Sequence, residues 1–85
     1  MAEQGKLIGK VTHYFSNIGV AVVNLESSLA VGDEIRIVGG EETDFNQAVG
    51  SMEVDHKKVD KAKKGDDVGM KVNEKVREGY KVYKV

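Results

Sequence analysis

Cysteine, proline and tryptophan are absent from the 85-residue chain. Without cysteine there is no disulfide, no thiolate nucleophile and no thiolate metal site. No apolar run approaches the roughly 20 residues of a membrane span, and Met1–Lys6 lacks the basic and then apolar pattern of a signal peptide. The length leaves room for one small domain. We therefore expect a single soluble, cytoplasmic domain over residues 1–85, with no membrane partner.

An excess of charge of either sign is also missing. Thirteen basic and fourteen acidic residues give a formal charge of −1, which excludes a strongly basic nucleic-acid arm and an acidic disordered tail. The charges are unevenly placed, however. Residues 33–44 carry a local charge of −4, and residues 57–64 carry five lysines against one aspartate. Two oppositely charged surface segments are therefore expected.

Valine dominates what is present. The chain has 14 Val and four Ile against three Leu, with ten Gly as punctuation. β-Branched residues in short alternating runs favour strands. The pattern predicts an all-β fold of roughly six strands, with a β-bulge near Gly50 and a lysine-rich turn at 57–64 in which residues 58–64 could form one turn of helix. The predicted strands cover residues 6–16, 20–25, 33–38, 45–55, 66–72 and 80–85.

One short pattern recurs. Val31-Gly32-Asp33-Glu34-Ile35 matches Lys64-Gly65-Asp66-Asp67-Val68, and Glu78-Gly79-Tyr80-Lys81-Val82 is a degenerate third copy. Glycine supplies left-handed backbone and aspartate bonds nearby N–H groups, so the pattern predicts turns that open strands. The alternative, that these carboxylates are catalytic or bind metal, lacks the dense oxygen ligands of a calcium loop.

Recognisable catalytic chemistry is missing. No phosphate-binding glycine loop or nucleophile elbow occurs. His13 and His56 lie 43 positions apart without metal-ligand spacing. The alternation of residues 6–16 places His13 on the apolar face of the first strand. We therefore predict no enzyme activity, no cofactor and no metal.

The basic segment is the candidate binding site. Its lysines, Lys57, Lys58, Lys61, Lys63 and Lys64, could neutralise several phosphates of a nucleic acid. The alternative is a solvated loop that only maintains solubility, since lysine-rich turns are common and arginine is absent from this one.

The order of these motifs resembles a known family. The motifs are Gly9-Lys10-Val11, Ile18-Gly19-Val20-Ala21-Val22, residues 29–39, Val49-Gly50-Ser51-Met52-Glu53, Gly65-Asp66-Asp67-Val68-Gly69 and Gly79. Together they resemble the β-barrel second domain of translation GTPases such as elongation factor Tu and initiation factor two. They resemble still more the free-standing translation elongation factor-like proteins. A similar barrel occurs at the C-terminus of some collagenase-like peptidases.

The resemblance implies a closed, antiparallel Greek-key barrel over residues 6–85 that contacts tRNA or ribosomal RNA. Glu53 falls at an acidic position that helps hold the aminoacyl end of tRNA in elongation factor Tu. His56, followed by Lys57, falls where that family has an arginine. The missing phosphate loop implies that the chain alone binds no GTP.

Three hypotheses follow. The first is a non-catalytic module that binds RNA or the ribosome through Glu53, His56 and the five lysines. The second is a protein–protein module that docks to a separate GTPase or peptidase subunit. The third is a small-molecule carrier or enzyme that uses the barrel mouth near His13. The oligomeric state is open, because a core this small leaves a dimer through an edge strand plausible.

Overall fold

The computed structural model describes residues 5–40 and 43–85. Within these residues the chain forms ten strands and no helix, so the all-β prediction is confirmed. The strands are β1 (Lys6–Phe15), β2 (Val20–Leu25), β3 (Leu29–Ala30), β4 (Glu34–Gly39), β5 (Thr43–Ala48), β6 (Met52–Val54), β7 (Lys57–Val59), β8 (Lys61–Ala62), β9 (Asp67–Lys71) and β10 (Lys81–Lys84).

Eight strands form one antiparallel sheet in the order β5-β4-β10-β1-β2-β9-β6-β7. The remaining strands, β3 and β8, pair separately as a two-stranded sheet. The alternating valine and isoleucine positions point to one side and bury a single apolar cluster. Its members are Ile8, Val11, Ala21, Val23, Leu25, Leu29, Ile35, Ile37, Phe45, Val49, Met52, Ala62, Val68, Met70, Val76 and Val82.

The predicted closed barrel is wrong. Strands β5 and β7 are the two ends of the sheet, and no backbone ladder joins them in the described residues. Strand β6 is only three residues long, and its ladder with β9 comprises the single pair Glu53–Gly69. These short strands at one end give the sheet too little paired backbone to close on itself, as a barrel requires.

The predicted strand over residues 45–55 is divided in two. Val49 and Met52 are both buried although they are an odd number of residues apart, which one regular strand does not allow. The chain leaves the sheet between them, where the Val49 N–H donates to the Asp33 carbonyl at 2.9 Å and the Val49 carbonyl accepts from the Gly32 N–H at 2.8 Å. The irregularity predicted near Gly50 is thus a break between β5 and β6.

Strand β1 contains two register shifts that its sequence pattern conceals. They lie between Leu7 and Gly9 in the pairing with β10, and between Val11 and His13 in the pairing with β2. Each shift changes the face on which the following side chains lie. Ile8 is therefore fully buried and His13 is exposed. The prediction that His13 lies on the apolar face is wrong for this reason.

The repeated glycine pattern forms three equivalent turns. Gly32, Gly65 and Gly79 have φ values of 97°, 92° and 91°, which suit the third residue of a type II turn. Strands β4, β9 and β10 begin two residues after these glycines, so the prediction of strand-opening turns is confirmed. The closing bonds run from Asp33 N to Ala30 O at 3.0 Å, from Asp66 N to Lys63 O at 3.0 Å and from Tyr80 N to Arg77 O at 3.3 Å.

Gln47 connects β5, at one end of the sheet, to the end of β9 in the opposite half of the sheet. It is the single buried polar side chain among the described residues, with 7% of its surface exposed. Its Nε2 donates to the Lys71 carbonyl at 2.9 Å, and its Oε1 accepts from the Asn73 N–H at 2.7 Å. One side-chain amide therefore makes the two bonds that a neighbouring strand would make, and it ties β5 to the chain that follows β9.

We expect Gln47→Ala to lower the free energy of unfolding by about 2 kcal/mol, because it leaves the Lys71 carbonyl and the Asn73 N–H without a partner. Asn46→Ala, at the exposed neighbouring position of β5, serves as the control and should change it by less than about 0.5 kcal/mol. Urea denaturation measures both. Equal midpoints for the two variants would show that the Gln47 amide does not hold the open side.

Candidate docking surface

The lysine-rich segment is mostly extended and contains no helix. It forms β7, a break at Asp60, and β8, and its last residues, Lys63 and Lys64, begin the turn at Gly65. All five lysines are exposed. Because side chains alternate along a strand, Lys57 and Lys58 point to opposite faces. The segment therefore does not present its five lysines as one surface.

Glu53 and His56 lie on the hairpin formed by β6 and β7. Asp55 and His56 are its two-residue turn, with φ values of 55° and 65°, the left-handed geometry of a type I′ hairpin. Glu53 is exposed in β6, opposite Lys58 of β7. The structure thus brings Glu53 and Lys58 together, while Lys61 and Lys63 belong to a different surface.

That second surface is a shallow groove between the β3–β8 sheet and the end of β10, with a volume of about 630 Å³. Leu29 and Ala62 border it but belong to the core, since they are only 1% and 6% exposed. Its rim is charged. The lining residues are Ser28, Leu29, Ala30, Asp33, Lys61, Ala62, Lys63, Asp66 and Lys84. We call it the β3–β8 groove.

The two carboxylates of the groove are held by the turns that form it. Asp33 Oδ2 accepts from the Ala30 N–H at 2.9 Å and lies 3.3 Å from Lys84 Nζ. The backbone bond from Ala30 is the main cause that lowers the pKa of Asp33, Lys84 lowers it further, and partial burial opposes both. Asp66 Oδ2 accepts from the Lys63 N–H at 3.0 Å. Both carboxylates therefore accept a hydrogen bond from the backbone of their own turn.

An acidic side chain of segment 33–44 also has a partner within the fold. Asp44 accepts from Arg36 Nε at 2.7 Å and from Arg36 Nη2 at 2.5 Å. This bidentate pair lowers the pKa of Asp44 and raises that of Arg36. Glu41 and Glu42, which supply the rest of the predicted acidic character, lie outside the described residues. The Arg36–Asp44 pair thus stabilises the hairpin of β4 and β5.

His13 lies on the outside of the sheet, at the opposite end from the β3–β8 groove. Its Nδ1 is 3.5 Å from Glu78 Oε2, and its ring centroid is 4.4 Å from that of Phe15. Because the described sheet is open, His13 does not line a barrel mouth, and the hypothesis of a ligand site beside it stays a prediction. Across residues 5–40 and 43–85, no group of three or more His, Asp or Glu is placed to hold a metal ion. No helix suited to crossing a membrane is found in that part of the chain.

Sequence reasoning missed Lys84 and the Ser28–Ala30 segment. The Gly-Asp repeat contained a signal for this segment. The turns at Gly32 and Gly65 follow β3 and β8, and these two strands pair with each other. The repeat by itself predicts only the turns. Lys84 carries no local motif, and its position depends on the pairing of β10 with β4.

No protein-family model matches the chain. An uncharacterized protease of Methanocaldococcus jannaschii is 42% identical over 76 residues, which are 89% of this chain and 19% of the protease. A collagenase of Porphyromonas gingivalis is 39% identical over 82 residues, covering 95% of this chain and 23% of the collagenase. A collagenase of strain W83 of that organism is 40% identical over 78 residues. The chain thus spans about a fifth of the curated relatives that it matches.

Solved structures agree with these relatives. Two crystal structures of the C-terminal domain of a putative U32 peptidase from Geobacillus thermoleovorans superpose with TM-scores of 0.87 and 0.88. They cover 92% and 94% of this chain, and 98% and 92% of their own, at 22% and 23% identity. The chain therefore has the fold of that C-terminal domain.

The resemblance to translation GTPases is corrected by these findings. The relatives are named as a protease and collagenases, and the structural neighbours are a peptidase C-terminal domain. The interpretation as a translation elongation factor-like protein that binds RNA or the ribosome falls with it. The comparisons support the other part of that resemblance, the similarity to a C-terminal domain of collagenase-like peptidases.

The lowered pKa of Asp33 predicts a pH dependence of stability. The folded protein favours the ionised carboxylate more than the unfolded chain does, so this contribution is present above the ordinary value of 3.8 and is lost as the pH falls through the lower folded-state value. Asp33→Asn should therefore flatten the fall in the free energy of unfolding between about pH 5 and pH 2.

Urea denaturation at several pH values measures this slope. Asp44→Asn, which removes the partner of Arg36 toward the loop end of the β4–β5 hairpin, should flatten the slope independently, and the two effects should add. A slope for Asp33→Asn that matches the unchanged chain would contradict the assignment.

Proposed function

We propose that the chain is a non-catalytic accessory module of a U32-type peptidase and that it works by docking to the peptidase. The observation that carries this proposal is the uneven coverage of the match. Between 89% and 95% of this chain aligns with the relatives, yet only 19% to 23% of each relative is aligned. The shared part is thus one unit of proteins that contain much more.

The chemistry of the described residues supports a binding role. Asp33, Asp66 and Asp44 are committed to turns and an ion pair. An active site usually needs a buried or strongly perturbed group to act as acid or base, and the lowered pKa values of Asp33 and Asp44 arise from bonds that stabilise the fold. Of the two partners expected from sequence, the peptidase is favoured because the comparisons support no GTPase.

Capture from cells of the source organism tests this function. The tagged chain is the bait, and mass spectrometry identifies what it retains. The expected result is enrichment of a U32-type peptidase over the tag alone. Retention of ribosomal proteins or tRNA without a peptidase would contradict the proposal, and so would the absence of any peptidase when the bait is shown to be folded.

A further inference from the structure

The long strand β1 separates two ends of the molecule. Its first residue, Lys6, pairs with Lys84 at the end of β10. Its last residue, Phe15, lies roughly 30 Å further along, because a strand rises about 3.3 Å per residue. Val85 follows β10 directly, and its N–H donates to the Glu34 carbonyl at 3.1 Å. We call these two ends of the molecule the Val85 end and the Phe15 end.

Exposed apolar side chains occur at both ends. Val31 belongs to the Val85 end, since two residues further on Asp33 places its carboxylate 3.3 Å from Lys84 Nζ. Ile18 belongs to the Phe15 end, since its N–H donates to the Phe15 carbonyl at 3.2 Å. Exposed apolar groups that cluster can mark a surface for a partner, so each end is a candidate. In the described residues four large apolar side chains are exposed by 40% or more: Phe15, Ile18, Val31 and Val85.

The polar groups beside the two valines of the Val85 end already have partners. Asp33 and Lys84, their near neighbours in sequence, form an ion pair at 3.3 Å. The Val31 N–H donates to the Asp60 carbonyl at 2.9 Å, and the Val85 N–H is bonded as described above. Burying a polar group costs free energy unless it is hydrogen-bonded. A partner can therefore cover this part of the surface without leaving these groups unpaired.

The position of the domain in a related protein indicates what covers the Val85 end. Gly5, which precedes β1, lies at this end, because a side chain on it would collide with the Lys84 carbonyl. In the Geobacillus peptidase this fold is a C-terminal domain, and 98% of that domain superposes on the present chain. The remainder of that peptidase precedes the domain and joins it at the position equivalent to Gly5. It is thus held beside the Val85 end, roughly 30 Å from the Phe15 end.

We propose that the Val85 end is the surface that docks to the U32-type peptidase, with an apolar, uncharged surface of the peptidase packed on Val31 and Val85. Such a surface matches this end because the two valines lie beside an ion pair that carries no net charge. This inference rests on the proposed function and specifies the surface through which it acts.

The chain provides a matched control for the test. Val31→Ser/Val85→Ser removes the exposed apolar groups of the Val85 end, and Phe15→Ser/Ile18→Ser removes those of the Phe15 end. The binding partner is the peptidase retained in the capture experiment, purified and titrated with each variant. We expect about tenfold weaker binding for the first variant and less than about twofold for the second. Nonspecific apolar adhesion would give the opposite order, because the control removes the larger side chains.

The absence of cysteine makes a direct placement possible. Val85→Cys and Ile18→Cys each introduce a single thiol that carries a photoreactive label. Illumination with the purified peptidase should cross-link the Val85→Cys variant and leave the Ile18→Cys variant free. All substituted side chains are exposed, so each variant should fold, and its urea midpoint checks this.

Cross-links from both labelled positions, or from Ile18→Cys alone, would overturn the proposal. Cross-links from Val85→Cys that join two copies of this chain would overturn it as well, since they would assign the Val85 end to self-association. If the peptidase is captured and binds both double variants equally, the Val85 end is wrong and the proposed function stands. If the unchanged chain captures no peptidase, the proposed function fails and this inference fails with it.

Discussion

The bond from an aspartate carboxylate to the backbone N–H three residues earlier organises much of this small protein. It occurs at Asp33 and again at Asp66, each time after a glycine with positive φ. The bond fixes where β4 and β9 begin and caps donors at the ends of the β3–β8 sheet. Strand positions and edge protection therefore share one cause.

On the open side of the sheet, a side-chain amide stabilises β5. A closed barrel satisfies every strand edge by backbone pairing. Here the two amide bonds of Gln47 reach Lys71 and Asn73 instead. The short hairpin of β6 and β7 forms the other end of the sheet. That hairpin carries Glu53 and His56, which places them away from the groove.

The sequence predicted the fold best where a residue type favours one kind of local structure, as valine favours strands and glycine favours turns. The valine alternation located most strands, and the three glycine patterns located three turns. Strand β1 was misjudged because two register shifts move its side chains between faces, and these shifts depend on pairing with β2 and β10 rather than on local residue order. The five lysines were grouped by proximity in sequence, whereas the pleat of β7 and the break at Asp60 divide them. Gly and Asp are common turn residues in many unrelated β proteins, which explains why they supported a resemblance to translation GTPases that the comparisons correct.

Docking to a peptidase is tested most directly by amide hydrogen exchange of the chain alone and in the presence of the captured peptidase. Exchange should slow on binding over one continuous part of the surface while the core strands keep their exchange rates. No change anywhere along the chain would contradict docking.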